Sequence, residues 1–306
     1  MAFFSVIITV YNKEKHIQAT IESVLHQTFK DFEIIVVNDG STDNSEKTIN
    51  AFSDKRITLI SILNQGASNA RNTGIKGAKS DYIALLDGDD TWDPTYLQHM
   101  YDAIQKFPKT NIFATGIVQK YKNNLTPVTY SFNQAETYGL HNYFKASKKY
   151  TLITSSSVVF NISVLEKTGL FDISIATGED TDMWIRFGLH FKILFINKPL
   201  ACYNYDDYSL SNTNFNIDKK PKFNKYFEEE KDNSDLKTFL DRNRYSLAIF
   251  SILKNDKKNY IFYTSNLDVN SLSLRQRLLL KSPKWILLLL LQLQSLGGGW
   301  LIYPKN

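Results

Sequence analysis

Short apolar runs alternate with helical spacings through the first hundred residues, and no other feature of the chain constrains its fold as strongly. Phe4 to Val10 is a β-rich apolar run, and Glu14 to His26 follows with Ile17, Ile21, Val24 and Leu25 at helical spacing. The pattern repeats with strands over Phe32 to Val37, Ile57 to Ile62 and Tyr82 to Leu86, and helices over Asp43 to Phe52, Ala67 to Gly77 and Thr95 to Phe107. Continuous apolar strands separated by helices predict an α/β fold with a mostly parallel sheet covered on both faces. In such sheets ligands bind beyond the carboxyl ends of the strands. The polar clusters of this half follow strand ends: Thr9-Val10-Tyr11-Asn12, Asn38-Asp39-Gly40-Ser41 and Asp87-Gly88-Asp89-Asp90.

From Ile112 to Tyr205 the pattern is more mixed, with strands expected over Ile112 to Val118 and Ser155 to Phe160 and a helix over Asp180 to His190. Beyond Asn212 the chain turns Lys/Asn/Glu-rich, becomes helical over Leu236 to Leu253 and ends in a very apolar tail. A boundary is expected near residue 215, giving one domain over residues 1–215 and a helical C-terminal region over 216–306. Apolar residues at 43% and charged residues at 22%, without a low-complexity tract, describe a globular chain. A net charge of +5 without Lys/Arg runs argues against a nucleic-acid groove. Cys202 is the one cysteine, which excludes an intrachain disulfide or a thiolate cluster and fits a cytoplasmic setting. Residues 1–10 lack a basic start and a cleavage site, so they read as a first strand and not as a signal peptide.

Three carboxylates in Asp87-Gly88-Asp89-Asp90 at the end of a buried strand are costly unless a cation neutralises them. Hard oxygen ligands suit Mg²⁺ or Mn²⁺, which share their remaining positions with substrate phosphates. The competing reading is a solvated acidic turn. Asp39 can accept from a nucleobase or ribose, or simply stabilise its turn, and Asp43 can cap the next helix. Arg71, near a helix start, suits a base or phosphate contact or an ordinary salt bridge. Glu179 and Asp180 open a later helix. A carboxylate there is stabilised as the anion, as a general base requires, although Asp180 could equally be a plain N-cap.

Taken together these residues resemble family 2 glycosyltransferases with the GT-A fold, over residues 3 to 205. The resemblance is carried by Ser5-Val6-Ile7-Ile8-Thr9-Val10-Tyr11-Asn12, by Ile34 to Asp43, by Ala70-Arg71-Asn72-Thr73-Gly74, by Leu86-Asp87-Gly88-Asp89-Asp90, and by Gly178-Glu179-Asp180 with Trp184. It implies a GT-A sheet with a Rossmann-like nucleotide-binding half. It also implies inverting, metal-dependent transfer of a hexosyl or N-acetylhexosaminyl group from a nucleotide diphosphate sugar, UDP-linked, to an acceptor hydroxyl. By the same resemblance Thr9 and Tyr11 line the nucleotide pocket, Asp39 reads the uracil, and Arg71 lies beside the base or diphosphate. Asp89 is the metal ligand for Mn²⁺ or Mg²⁺, Asp87 contacts ribose or sugar, and whether Asp90 shares the metal stays open. Asp180 is the catalytic base, Glu179 contacts the acceptor or orients the site, and Trp184 belongs to the substrate side. The acceptor implied is a saccharide or lipid-linked saccharide in cell-surface polysaccharide or lipopolysaccharide biosynthesis.

The alternatives are nucleotidyl transfer, disfavoured by the lack of a Gly-rich, Lys-containing phosphate loop near the first strand, and a catalytically inactive relative serving as a binding or assembly subunit. In the tail, Trp285 to Leu296 would rise only about 18 Å as a helix, against roughly 30 Å of hydrocarbon. Arg275, Arg277, Lys281 and Lys284 precede or open this run, and no acidic residue follows Asp268. The expectation is peripheral attachment to the cytoplasmic membrane face, set against a tail simply packed on the catalytic domain.

Overall fold

Alternation along each strand decides which layer its side chains enter. In a computed structural model that describes residues 1–122, 124–205, 217–220 and 222–297, β1 (Phe4–Val10) places Phe4, Val6, Ile8 and Val10 in one apolar cluster and Ile7 in another. β4 (Tyr82–Asp87) divides Ala84 and Leu86 from Ile83 and Leu85 in the same way. This is the period-two geometry of a strand covered on both faces. α1 (Ile17–Leu25) fills one layer with Ile17, Ile21 and Val24, all fully buried. Each is worth roughly 1.5–3 kcal/mol relative to an exposed side chain.

The first half continues with β2 (Phe32–Asp39), α2 (Ser45–Asn50), β3 (Ile57–Ile62) and α3 (Ala67–Gly77). β3, β2, β1 and β4 lie side by side in that order and all are parallel. Sequence order reverses at β1, so the ends of β1, β2 and β4 open onto one crevice, where parallel α/β sheets take ligands.

The second half adds β5 (Thr91–Trp92), α4 (Tyr96–Lys106), β6 (Ile112–Tyr121), β7 (Asn124–Pro127), β8 (Tyr138–His141), α5 (Tyr143–Ala146), β9 (Val158–Asn161), α6 (Leu165–Thr168), α7 (Glu179–His190) and β10 (Ile193–Asn204). The sheet runs on from β4 through β9, β6 and β10 to β5, ten strands among the described residues, with β7 on β6 and β8 on β10. Pairing here is mixed: β9 is antiparallel to β4 and β6, whereas β6 and β10 are parallel. The strand expected from Ser155 begins at Val158, because Thr154 and Ser157 form a capping box that winds Ser155–Ser157 into a 3-10 turn.

The C-terminal region is helical: α8 (Glu229–Asp232), α9 (Ser234–Leu253), α10 (Lys257–Ser265), α11 (Leu274–Leu280) and α12 (Lys284–Gly297). Its Ile217, Tyr226, Leu236, Leu240 and Tyr263 share a core cluster with Ile7, Ile83, Trp184 and Phe195 of the sheet half. The boundary expected near residue 215, and Gly298 and Gly299 of the tail, lie outside the described residues. No helix among the described residues is long and apolar enough to cross a membrane.

Candidate functional site

The crevice is assembled by turns that leave β1, β2 and β4. Thr9 stands in register with Val37 on one neighbour and Asp87 on the other. After Asp87 the chain must turn against β1, and a Cβ at Gly88 would lie 2.8 Å from the Thr9 carbonyl oxygen, so only glycine fits that close approach. Gly88 N–H donates to that same oxygen at 3.0 Å, and Asp90 N–H closes the turn on the Asp87 carbonyl at 3.0 Å. Tyr11 follows β1 directly and is half-buried.

The turn separates the three aspartates. Asp90 is buried, its Oδ2 accepting from Ser156 Oγ at 2.5 Å and its Oδ1 from Asn204 N–H at 3.0 Å. Burial, then the charges of Asp89 and Asp87, push its carboxyl well above the usual range. Asp90 is thus committed to joining the turn to β10 and to the turn before β9. Asp89 instead pairs with the Lys13 ammonium, from the loop after β1. Asp87 accepts from Arg71 Nη2 at 2.8 Å, and its side chain keeps 31% of its surface open.

Asp39 ends β2 with 3% exposure. Its two carboxylate oxygens accept from the backbone N–H groups of Gln65 and Gly66, each at 2.9 Å. Asp39 therefore shapes the β3–α3 loop as one wall of the crevice. Its carboxylate retains lone pairs for one further donor. Gly40, at φ +69°, makes the turn beyond it, and a Cβ there would meet Asn64 N at 2.8 Å. Asp43 also accepts from backbone, at Glu14 N and Ser45 N.

Arg71 is the hinge of the site. Buried on α3, it donates through Nη2 to Asp87 and through Nη1 to Glu179 Oε1, both at 2.8 Å, with its guanidinium over the Phe171 ring at 5.4 Å. Burial opposes its charge, but Asp87 and Glu179 outweigh that and raise its pKa above the usual value. The strand-end carboxylates and the start of α7, far apart in sequence, are thereby drawn into one electrostatic unit.

Gly178, at φ +83°, holds the N-cap of α7, so Asp180 lies inside the first turn and is not the cap. Its Oδ1 accepts from Thr181 N–H at 2.6 Å. Burial and then neighbouring Glu179 raise its pKa to about 6, against the opposing pull of Arg71. The helix start was expected to favour the anion outright; desolvation and like charge prevail over it here. One helical turn further on, Trp184 is 1% exposed and packs its ring against Phe171 and Phe187. It supports α7 from the core and offers no surface to a substrate, which corrects its expected place on the substrate side.

Several supports escaped the sequence reading. Asp182, 1% exposed on α7, accepts from Tyr226 Oη at 2.6 Å and Arg186 Nε at 3.0 Å, and pairs with Lys225 Nζ at 2.5 Å. Lys225 and Tyr226 come from the C-terminal region, so that region clamps the helix bearing Asp180. Lys220 approaches from the same side: burial lowers its pKa, while Asp180 and Glu179 hold it up.

No group of three or more His, Cys, Asp or Glu among the described residues is arranged to hold an ion. The donor set still fits Mg²⁺ or Mn²⁺ in the manner of a shared site. Asp89 carries only a flexible lysine on its carboxylate, and a phosphate-bearing ligand would bring further hard oxygens.

The profile described as glycosyl transferase family 2 matches residues 5–169. Glycosyltransferase GlyA of Streptococcus pneumoniae is 31% identical over 231 residues, covering 68% of this chain and 31% of that protein. The UDP-Glc:alpha-D-GlcNAc-diphosphoundecaprenol beta-1,3-glucosyltransferase WfaP of Escherichia coli is 34% identical over 188 residues, covering 60% of this chain and 70% of WfaP. The match thus spans less than a third of GlyA and about two thirds of WfaP. The S. aureus TarS structure, residues 1–349 with UDP-GlcNAc, superposes with a TM-score of 0.63 at 16% identity, over 92% of this chain and 91% of that one. At that identity the likeness establishes a common GT-A-type fold.

Proposed function

The chain belongs to glycosyl transferase family 2 and is a glycosyltransferase; on that premise we propose that it inverts configuration while moving a hexosyl or N-acetylhexosaminyl group from a UDP-sugar to an acceptor hydroxyl. The observation that carries this reading is the Arg71 bridge, which brings the donor-side Asp87 and the base-side Glu179 and Asp180 to one crevice. Support for a UDP-linked donor comes from the TarS complex and from the UDP-Glc named for WfaP.

Thr9, Tyr11 and Asp39 form the nucleotide end of the crevice, and Asp87 meets the ribose or sugar. Arg71 sets the charge and position of Asp87 and Glu179. Asp89 would hold Mn²⁺ or Mg²⁺, which when bound offsets negative charge on the departing diphosphate. Lys13, released from Asp89, supplies a second positive group at the same place. Asp180 takes the proton of the acceptor hydroxyl. The oxygen so freed attacks the anomeric carbon from the face opposite the diphosphate as the carbon–oxygen bond to UDP breaks. With pKa about 6, Asp180 is mostly ionised at neutral pH yet basic enough to take a proton in the transition state. No covalent intermediate is required, and α7 holds the base in place through Asp182.

The acceptor in this reading is a saccharide or lipid-linked saccharide of cell-surface polysaccharide or lipopolysaccharide biosynthesis, as the diphosphoundecaprenol acceptor named for WfaP suggests. Such an acceptor places the enzyme in the cytoplasm, at the inner face of the membrane. The test is to incubate the protein with a panel of UDP-sugars and lipid-diphosphate saccharides, then determine the anomeric configuration of the product by NMR. An α-linked donor should give a β-linked product; retention of configuration would contradict the single-displacement reading.

A further inference from the structure

α12 is apolar on two faces, and the fold buries only one of them. Leu287 is fully buried and Leu290 and Leu291 are partly buried against the core, whereas Trp285, Leu288, Leu289 and Leu293 are 66%, 45%, 50% and 50% exposed. Those four positions fall at i, i+3, i+4 and i+8, a single face of the helix. On α11, Leu274 and Leu278 are 76% and 62% exposed at i and i+4, while Leu279 and Leu280 are buried. Singly exposed leucines are ordinary, but six large apolar side chains left exposed on two consecutive short helices, four of them on one helix face, call for an occupant.

Charge indicates the occupant. Arg275, Lys281 and Lys284 lie on or between these helices, Arg275 and Lys281 being exposed. Arg277 donates to the Leu272 and Asn270 carbonyls, fixing the start of the unit. From residue 269 to the last residue there is no Asp or Glu. A second copy meeting this face through a two-fold contact would oppose lysine to lysine with no carboxylate of the tail to neutralise them. An anionic bilayer supplies both an apolar interior for the leucines and negative headgroups for the cations. At 14 residues α12 is about 21 Å long, too short to cross a hydrocarbon layer of roughly 30 Å. Its place is in the interface plane.

We propose that α11 and α12 form a docking face for an anionic lipid bilayer, with Trp285, Leu288, Leu289 and Leu293 inserted and Arg275, Lys281 and Lys284 at headgroup level. The inference rests on the lipid-linked acceptor of the proposed function. α11 and α12 pack on α9, α9 on α5, and α5 on α7, so the bilayer face is coupled through packed helices to the element that carries Asp180.

The test is co-sedimentation of the full chain with phosphatidylcholine vesicles, with and without phosphatidylglycerol, at low and high salt. Binding should be roughly tenfold or more tighter to the anionic vesicles and should weaken with salt. Trp285→Ser with Leu289→Ser, or Lys281→Gln with Lys284→Gln, should each lower it about tenfold. All four are solvent-facing or half-buried outside the crevice, so UDP-induced thermal stabilisation should not change. Equal binding to both vesicles, unaltered binding by the variants, or a dimer in solution with no vesicle binding would overturn the proposal. UDP stabilisation without vesicle binding defeats the docking face alone. Vesicle binding that follows the predicted pattern without any UDP response supports the docking face while defeating the catalytic reading.

Discussion

The two ends of the crevice are held in different ways. On the proposed donor side, Thr9, Asp39 and Asp87 are the last or next-to-last residues of parallel strands, and sheet register with backbone hydrogen bonds places them. On the proposed acceptor side, Asp180 sits on a helix tied to distant elements by ion pairs and a hydrogen bond: Arg71 from α3 through Glu179, and Lys225 and Tyr226 from the C-terminal region through Asp182. The first arrangement is set by the sheet backbone. The second is assembled from distant pieces, so changes remote in sequence should reach the base without touching the donor.

Replacing Asp180 by Asn should separate the two ends most sharply. Turnover should fall about a hundred- to ten-thousand-fold, with UDP-induced stabilisation kept; near-normal turnover in a steady-state assay would remove Asp180 from the base's role. Arg71→Ala should strike both ends, because it leaves two partly buried carboxylates without their cation. A loss of roughly 3–5 kcal/mol is expected in denaturant unfolding, and Arg71→Lys should rescue it poorly because one ammonium cannot reproduce the two-ended contact.

The acceptor side should also reveal itself in pH. As the proposed base Asp180 must be ionised to act, and its pKa is raised to about 6, so kcat should decline as pH falls through that value. Glu179→Gln removes a like charge and frees Arg71 from its pair, and both changes favour the Asp180 anion. The acid limb of the kcat profile should therefore move to lower pH; a limb that stays in place would assign the titration to another group. The smallest effect is expected for Tyr226→Phe. It deletes one hydrogen bond to Asp182, worth about 1–2 kcal/mol, and should reduce kcat several-fold while the KM for donor stays unchanged. An equal rise in donor KM would show that the clamp serves both ends.

The same contrast governs what could be read from the chain. β3 over Ile57–Ile62 and α3 over Ala67–Gly77 occupy the residues their apolar spacing predicts, and the clusters after β1, β2 and β4 meet in the crevice because parallel topology puts strand ends together. Whether Asp90 joins Asp89 was not legible, since that depends on a turn closed by the Asp87 carbonyl and on partners from Ser156 and Asn204, far along the chain. Lys13 reads as one more solvated loop lysine until the fold sets it on Asp89. Lys225 and Tyr226 stand in a Lys/Asn/Glu-rich stretch that resembles a linker, and only tertiary packing reveals that they hold α7. Trp184 shares the motif of the acidic pair and, four residues after Asp180, its helix face, but one turn further along that face Phe171 and Phe187 close over its ring.

The central claim is that one crevice holds a donor site centred on Asp89 and a separable base at Asp180. Thermal-shift titration of UDP with Mn²⁺, and again with chelator, on the unaltered protein, Asp89→Ala and Asp180→Asn tests it most directly. The account predicts metal-dependent stabilisation in the unaltered protein, its loss in Asp89→Ala and its retention in Asp180→Asn. No response from the unaltered protein, or equal loss in both variants, would contradict it.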